Sequence, residues 1–242
     1  MHTTVVVPTF NERDNIPSLV KDVFKALPDC QLLVVDDNSP DGTGEVVALM
    51  SERNPAIQLL RRDRKRGLGP AYLDGFRKVL DQGAKTVIQM DADFSHSPHV
   101  LPTMIETLES GSDLVIGSRY VNGGSSENWG WHRQLISTLG SRYACRVLGL
   151  NLRDVTGGFK CWRGDLLRDI LPEKFLMRGF GFQVELNHRA ALKNARISEV
   201  PIVFTNRLQG KSKMTPWIMI EALIGMLRLR RKLGRANGCP PA

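Results

Sequence analysis

Residues 86–96, Thr86-Val87-Ile88-Gln89-Met90-Asp91-Ala92-Asp93-Phe94-Ser95-His96, join an apolar run to an acidic cluster. The run is short, β-branched and bounded by polar residues, which predicts a buried strand over 85–90. Asp91 and Asp93 are two residues apart, so on extended chain their carboxylates project to one side. Two like charges held that close require a cation, and oxygen ligands favour Mg²⁺ or Mn²⁺. Such a cation would bridge the oxygens of a diphosphate and neutralise a departing nucleoside diphosphate. An isolated Asp-x-Asp is also what turns and helix caps look like. Its place at the end of an apolar strand sets this one apart.

Outward from that stretch, further strands are predicted at 3–7, 31–36, 57–60 and 113–117, alternating with helices near 15–27, 43–53, 70–82 and 99–110. The βαβα rhythm predicts an α/β fold with a mostly parallel, helix-covered sheet through residue 118. Beyond it, VNGGSSENWGW (121–131) reads as a loop. A helix at 133–148, a short ribbon near 152–163, helices near 164–171 and 181–194, and a strand at 196–204 follow. A basic loop and a terminal helix at 216–233 complete the chain.

In an open α/β sheet, ligands lie beyond the carboxyl ends of the strands. Four polar clusters fall there: Pro8-Thr9-Phe10-Asn11-Glu12, Asp36-Asp37-Asn38-Ser39-Pro40-Asp41-Gly42-Thr43, Asp91 to His96, and Gly117-Ser118-Arg119-Tyr120. Carboxylates such as Glu12 and Asp37 suit the N–H groups of a base or ribose hydroxyls. Asp36 or Asp41 also reads as a cap for the next helix, and for Asp41 the cap is preferred. Arg119, Arg133 and the run Arg207-Leu208-Gln209-Gly210-Lys211-Ser212-Lys213 offer forks, a hydroxyl and point charges that suit phosphate oxygens. A solvated loop is the alternative for that run. His96 and His99, spaced like a metal pair but lacking a third ligand, read as loop histidines.

The chain has 242 residues, 42% hydrophobic and 24% charged, which fits one large globular domain and excludes disorder, collagen and a disulfide scaffold. Four cysteines (Cys30, Cys145, Cys161, Cys239) form no Cys-x-x-Cys pair, so reduced thiols are expected. The net charge of +8 points to a polyanionic partner: nucleic acid, an anionic membrane or phosphorylated substrates. No nucleic-acid-binding motif is present, and strand one lacks the Gly-x-Gly-x-x-Gly turn of a dehydrogenase. No signal peptide is visible. No apolar run reaches the roughly 18–20 residues that span a bilayer. The longest, Trp217 to Leu227, contains Glu221 and is followed by Arg228, Arg230, Arg231, Lys232 and Arg235. It reads either as a core-packed terminal helix with a solvated end or as an interfacial helix drawn to anionic lipid. Leu135, Leu139, Tyr143 and Val147 form a near-heptad stripe that is either buried or lipid-facing.

With these residues assembled, the chain resembles the family 2 glycosyltransferases of the GT-A fold, and within them the polyprenol (dolichol) phosphate mannosyltransferases. The matching motifs are PTFNE (8–12), DDNSPDGT (36–43), GLGPAY (67–72), DADFSH (91–96), GSRY (117–120), TGGFK (156–160), GFGFQVEL (179–186) and RLQGKSKM (207–214). The resemblance implies that Pro8, Glu12 and Asp37, with Thr9 and Asp36 beside them, hold the nucleoside of GDP-mannose. It places Asp91 and Asp93 at the ribose–diphosphate side with Mg²⁺ or Mn²⁺, and Ser95 as a third metal contact where some relatives carry Gln. Arg119, Arg133, Arg207, Ser212 and Lys213 are implied to contact phosphates of the donor or of a polyprenyl phosphate acceptor.

The implied reaction inverts the anomeric carbon and needs no general base, because a phosphate monoester is largely dianionic at pH 7. The Gln-x-x-Arg-Trp signature of many hydroxyl-acceptor relatives is absent. Residues 1–215 would form the catalytic domain, with a nucleotide-binding half (1–118) and an acceptor half (119–215), and 216–242 a basic C-terminal helix and tail. The expected setting is the cytoplasmic face of a membrane, with small membrane-anchoring subunits as further partners and no nucleic acid. Transfer of glucose or another sugar from a UDP donor is the rival activity. A non-catalytic nucleotide-sugar-binding subunit is the rival class, and retention of both Asp91 and Asp93 speaks against it.

Overall fold

The computed structural model describes residues 2–127, 131–177, 179–205 and 216–236, with the side chains at 131–133 and 216–222 outside the description. Strands β1 (Thr3–Thr9), β2 (Gln31–Asp36), β3 (Ile57–Arg61) and β4 (Thr86–Gln89) alternate with helices α1 (Ile16–Ala26), α2 (Thr43–Arg53) and α3 (Leu68–Asp81). A 3-10 turn at Pro98–Val100 and helix α4 (Leu101–Glu109) lead to β5 (Leu114–Ser118). Then come β6 (Ser125–Glu127), α5 (Trp131–Leu148), β7 (Lys160–Arg163), α6 (Gly164–Ile170), α7 (Gly181–Leu192), β8 (Ile197–Pro201), β9 (Val203–Thr205) and α8 (Pro216–Leu233).

Seven strands form one sheet in the order β3-β2-β1-β4-β7-β5-β8. Neighbours pair in parallel except at β7, which is antiparallel to both β4 and β5. Alternation along the strands explains the layers. Val5 and Val7, Leu32 and Val34, and Val115 face α1, α2 and α4, whereas Val6, Leu33 and Val35, and Leu114 and Ile116 face α3, α5, α6, α7 and α8. The sheet is therefore covered on both sides, which is why its strands read as continuous apolar runs. Gly75 brings α3 close: a Cβ there would lie 2.8 Å from Val6 Cγ1 and 2.9 Å from Val35 Cγ2.

The structure departs from the sequence expectations in three places. The ribbon expected near 152–163 is a single strand, β7, inserted between β4 and β5. The loop expected at 121–131 contains β6, which pairs in parallel with β9. The strand expected at 196–204 is interrupted at Ile202, whose N–H donates to Ser118 O (3.1 Å) and whose carbonyl accepts from Ser125 N (3.0 Å). Among the described residues, no helix is long and apolar enough to cross a membrane.

Candidate active site

The carboxyl ends of β1 and β2 are tied together by their own polar residues. Thr9 Oγ1 donates to Asp36 Oδ1 (3.0 Å), and Asp36 also accepts from the Ser39 hydroxyl (2.5 Å) and the Ser39 N–H (3.0 Å). Thr9 and Asp36 are both buried, and Pro8 is buried beside them. Glu12 N donates to Thr43 Oγ1 (3.0 Å), and Glu12 Oε2 accepts from Asn15 Nδ2 (2.7 Å). Asp41 accepts from Thr43 N (2.9 Å) and Thr43 Oγ1 (2.6 Å), a brace at the start of α2 that agrees with its capping role. Asn11 and Asn38, in the turns after β1 and β2, have φ of +61° and +58°.

Asp37 is 4% exposed and pairs through Oδ1 with Arg62, while Oδ2 accepts from the N–H groups of Arg66 and Gly67 (3.3 Å each). Three of its roughly four acceptor positions are thus taken, leaving one on Oδ1. Arg66 and Gly67 open α3, and five residues further on Tyr72 donates to Asp91 Oδ1 (2.9 Å). One helix thereby spans the distance from Asp37 to Asp91, roughly 7.5 Å of rise.

The Asp91–Asp93 loop is held from several sides. Asp93 Oδ1 accepts from Ser95 N (3.1 Å) and from the Ser95 hydroxyl. Between them Phe94 has a φ of +58°, a left-handed conformation that costs a bulky residue on the order of 1–3 kcal/mol and collects at functional sites. Ser95, the expected third metal contact, is 2% exposed and acts as a brace on Asp93. Asp91 N donates to His96 Nδ1 (3.4 Å), and the His96 ring stacks on Phe159 at 5.0 Å. His96 is in a loop as expected, but it is buried; His99 is exposed.

Because β7 runs antiparallel, its entry (Thr156 to Lys160) meets the exit of β4. A Cβ at Gly158 would lie 3.4 Å from both Asp91 Oδ2 and Gln183 Nε2, so the glycine keeps that side of Asp91 open. Behind it, fully buried Lys160 donates to Gln183 Oε1 (2.7 Å) and Gln183 O (3.1 Å), and burial holds its amine well below the usual lysine range.

Arg119 leaves the end of β5 and forms a bidentate pair with buried Asp154, Nε to Oδ2 and Nη2 to Oδ1, both at 2.7 Å. Nη2 also donates to Thr156 Oγ1 (2.8 Å). Burial pushes the Asp154 carboxyl up, but the Arg119 hydrogen bonds and charge outweigh it and hold it below its ordinary range. Arg119 and His96 both pack on Phe204, joining the β5 and β4 ends. Thr205 N donates to Ser95 O (3.4 Å). Arg207, Ser212 and Lys213 lie outside the described residues, as does the side chain of Arg133.

The donor set suits a hard divalent cation. Burial, then the charge and hydrogen bond of Asp91 and the charge of Asp93, push the Tyr72 phenol up, so both carboxylates act on this one phenol. Among the described residues, no three His, Cys, Asp or Glu side chains group to hold a metal unaided. Two carboxylates with one side open fit Mg²⁺ or Mn²⁺, ions that keep waters and take substrate phosphate oxygens. Tyr72 fixes how Asp91 presents its oxygens. Tyr72→Phe is expected to weaken Mn²⁺ binding by about tenfold, the scale on which outer-shell partners act. Mn²⁺ titration by electron paramagnetic resonance reads this directly; unchanged affinity contradicts the brace.

An α/β sheet with carboxylates gathered at its carboxyl edge is consistent with a nucleotide-sugar transferase of the GT-A type. The chain belongs to the family described as glycosyl transferase family 2, which matches residues 4–171. It is closely related to polyprenyl-phosphate mannosyltransferases. It is 42% identical over 228 residues to an undecaprenyl-phosphate mannosyltransferase from Micrococcus luteus, covering 94% of this chain and 93% of the relative. It is 39% identical over 239 residues to a polyprenol monophosphomannose synthase from Mycolicibacterium smegmatis, covering 98% and 90%. Glucosyl-3-phosphoglycerate synthase from Mycobacterium tuberculosis, solved with Mn²⁺, uridine diphosphate and phosphoglyceric acid, shares the fold at a TM-score of 0.68 and 18% identity over 97% of this chain and 79% of that one.

Sequence reading missed Arg62, Tyr72, Asp154, Lys160 and Gln183. Arg62 had a usable signal: the rule applied to the ends of the other strands holds for β3 too, where Arg61 to Arg66 is densely charged. The other four meet their partners only through tertiary packing.

Proposed function

We propose that the protein transfers mannose from GDP-mannose to a polyprenyl phosphate, with inversion at the anomeric carbon. The single observation that carries this reading is identity of 42% and 39%, over at least 90% of every chain compared, to an undecaprenyl-phosphate mannosyltransferase and a polyprenol monophosphomannose synthase. In the reaction, an acceptor phosphate oxygen bonds to C1 of mannose as the bond from C1 to the GDP β-phosphate breaks. The acceptor oxygen carries no proton at neutral pH, so no side chain has to remove one.

What remains is to bring two anions together and stabilise the leaving diphosphate. Glu12 and Asp37 face the nucleoside, with Pro8, Thr9 and Asp36 shaping the floor. Asp91 and Asp93 hold Mg²⁺ or Mn²⁺, which supplies charge neutralisation at the diphosphate, and Ser95 keeps Asp93 in place. Arg119, Arg133, Arg207, Ser212 and Lys213 serve the phosphates of donor and acceptor. A lipid acceptor places the enzyme at a membrane surface, on the cytoplasmic face, with small membrane-anchoring subunits as partners.

The test is transfer from labelled GDP-mannose to a short-chain polyprenyl phosphate, with and without Mn²⁺, beside UDP-glucose as donor. Metal-dependent mannosyl lipid, with GDP-mannose favoured by at least about tenfold (roughly 1.4 kcal/mol), is the expected result. Preference for UDP-glucose would transfer the proposal to the rival donor. No lipid-linked sugar from either donor would leave the binding-subunit reading in its place.

A further inference from the structure

Basic charge is not spread over this chain. Residues 128–153 carry Arg133, Arg142, Arg146 and Arg153 with no Asp or Glu, and residues 222–242 carry Arg228, Arg230, Arg231, Lys232 and Arg235, again with none. These nine account for the whole excess, because the remaining chain holds 24 Lys and Arg against 25 Asp and Glu.

The two stretches meet in space. Helices α5 and α8 pack together, and Ala236 N donates to Leu148 O (3.0 Å), so their carboxyl ends meet. Toward those ends Ala144, Val147, Leu148, Met226 and Leu229 are buried. The expected α5 stripe is therefore split, since Leu135 and Leu139 are 50% and 52% exposed. Ile136 is exposed with them, and α8 repeats the same i, i+1, i+4 pattern with Leu223, Ile224 and Leu227.

Beside this aliphatic surface runs a groove of 1310 Å³. Tyr143 and Leu150 line it together with Arg142, Arg146, Arg153 and Arg235, and all four arginines are exposed. Every ion pair among the described residues lies elsewhere. Tyr120, the neighbour of Arg119 of the candidate active site, also lines the groove.

We propose that this groove seats the headgroup of an anionic phospholipid, with the exposed aliphatic faces of α5 and α8 entering the same bilayer leaflet. The four arginines match lipid phosphates, and the neighbouring side chains decide the source. Single-stranded nucleic acid stacks on aromatic rings, whereas leucines and isoleucines suit acyl chains. A free phosphate would leave the aliphatic surface uncovered. The inference rests on the membrane setting of the proposed function and adds a second anion site, made of arginines other than those assigned to donor and acceptor. Docked there, the bilayer lies along the groove that Tyr120, the neighbour of Arg119, lines.

The experiment is flotation of the full chain with vesicles of phosphatidylcholine alone or containing about 30% phosphatidylglycerol, without donor, acceptor or metal. The wild type is expected to float with the anionic vesicles only. Combining Arg142→Gln, Arg146→Gln, Arg153→Gln and Arg235→Gln should lower the partition by about 600-fold, from roughly fivefold per basic side chain at a membrane surface. Combining Lys21→Gln, Lys25→Gln, Arg53→Gln and Lys193→Gln, all exposed and outside the groove, should change it by less than about threefold.

Melting curves confirm that both variants fold, and mannosyl transfer in detergent micelles should match the wild type for both. Equal losses in the two sets, flotation with phosphatidylcholine alone, or preferential retention by single-stranded RNA would each overturn the proposal. So would loss of micellar transfer in the groove variant, which would merge the groove with the acceptor site. Vesicles free of substrate keep this outcome separate from failure of the transfer reaction itself.

Discussion

Replacing Asp93 by Asn is expected to lower mannosyl transfer by at least about 10³-fold, roughly 4 kcal/mol of barrier, while leaving the fold intact. The substitution isolates charge from shape. Asp93 Oδ1 accepts from Ser95 N (3.1 Å) and the Ser95 hydroxyl, and an amide oxygen at the same place accepts both bonds, though more weakly than a carboxylate. The left-handed turn at Phe94 therefore survives. What disappears is one of the two negative charges that make a divalent cation favourable beside Asp91. Calorimetric titration with Mn²⁺ should show the affinity loss in parallel with the loss of kcat, and the melting temperature should move little. Wild-type turnover by this variant would sink the assignment of Asp93 to the metal.

Much of the fold was legible because its signals are local. Val5, Val6 and Val7 belong to a run buried on both faces, and turn residues mark where each strand stops. The acidic pairs stand out because they follow those runs immediately. Local signals fail where long-range packing decides. Lys160-Cys161-Trp162-Arg163 falls within the expected ribbon, but a lysine normally signals surface, and nothing local shows that this one strand is inserted between β4 and β5, each of which supplies a ladder to it. Ser125-Ser126-Glu127 is a strand only because Val203 to Thr205 lie alongside.

The site follows the same division. Asp91 and Asp93 could be read from their spacing, whereas Tyr72, 19 residues earlier, meets Asp91 only once α3 is packed on the sheet. The phosphate role inferred for Arg119 could not anticipate Asp154, which lies 35 residues on and occupies the guanidinium on two of its nitrogens. That pairing changes what Arg119 can do: its orientation is set by the protein before any phosphate arrives.

Asp154→Asn should accordingly be among the most destabilising single changes in the chain. Asp154 is 0% and Arg119 8% exposed, so the amide leaves a guanidinium buried without its counter-charge. Breaking a buried pair in this way costs about 3–5 kcal/mol, or roughly 10 °C of melting temperature for a domain of this size. The loss should spread along the backbone, because Asp154 also accepts from Arg119 N (3.1 Å), while Glu199 holds the N–H groups of Arg153 and Asp154 (2.8 Å each).

The pH dependence distinguishes this pair from simple loss of packing. Despite the burial that pushes it up, Arg119 holds the Asp154 carboxyl below its ordinary value of 3.8, so the folded state prefers it ionised more strongly than the unfolded chain does. Its contribution is complete above the unfolded value and disappears as pH falls through the folded one. The melting-temperature gap between wild type and Asp154→Asn should stay constant from neutral pH to about pH 5 and close progressively below about pH 4. A gap that persists unchanged into acid would mean that shape, and not the charge pair, stabilises this corner.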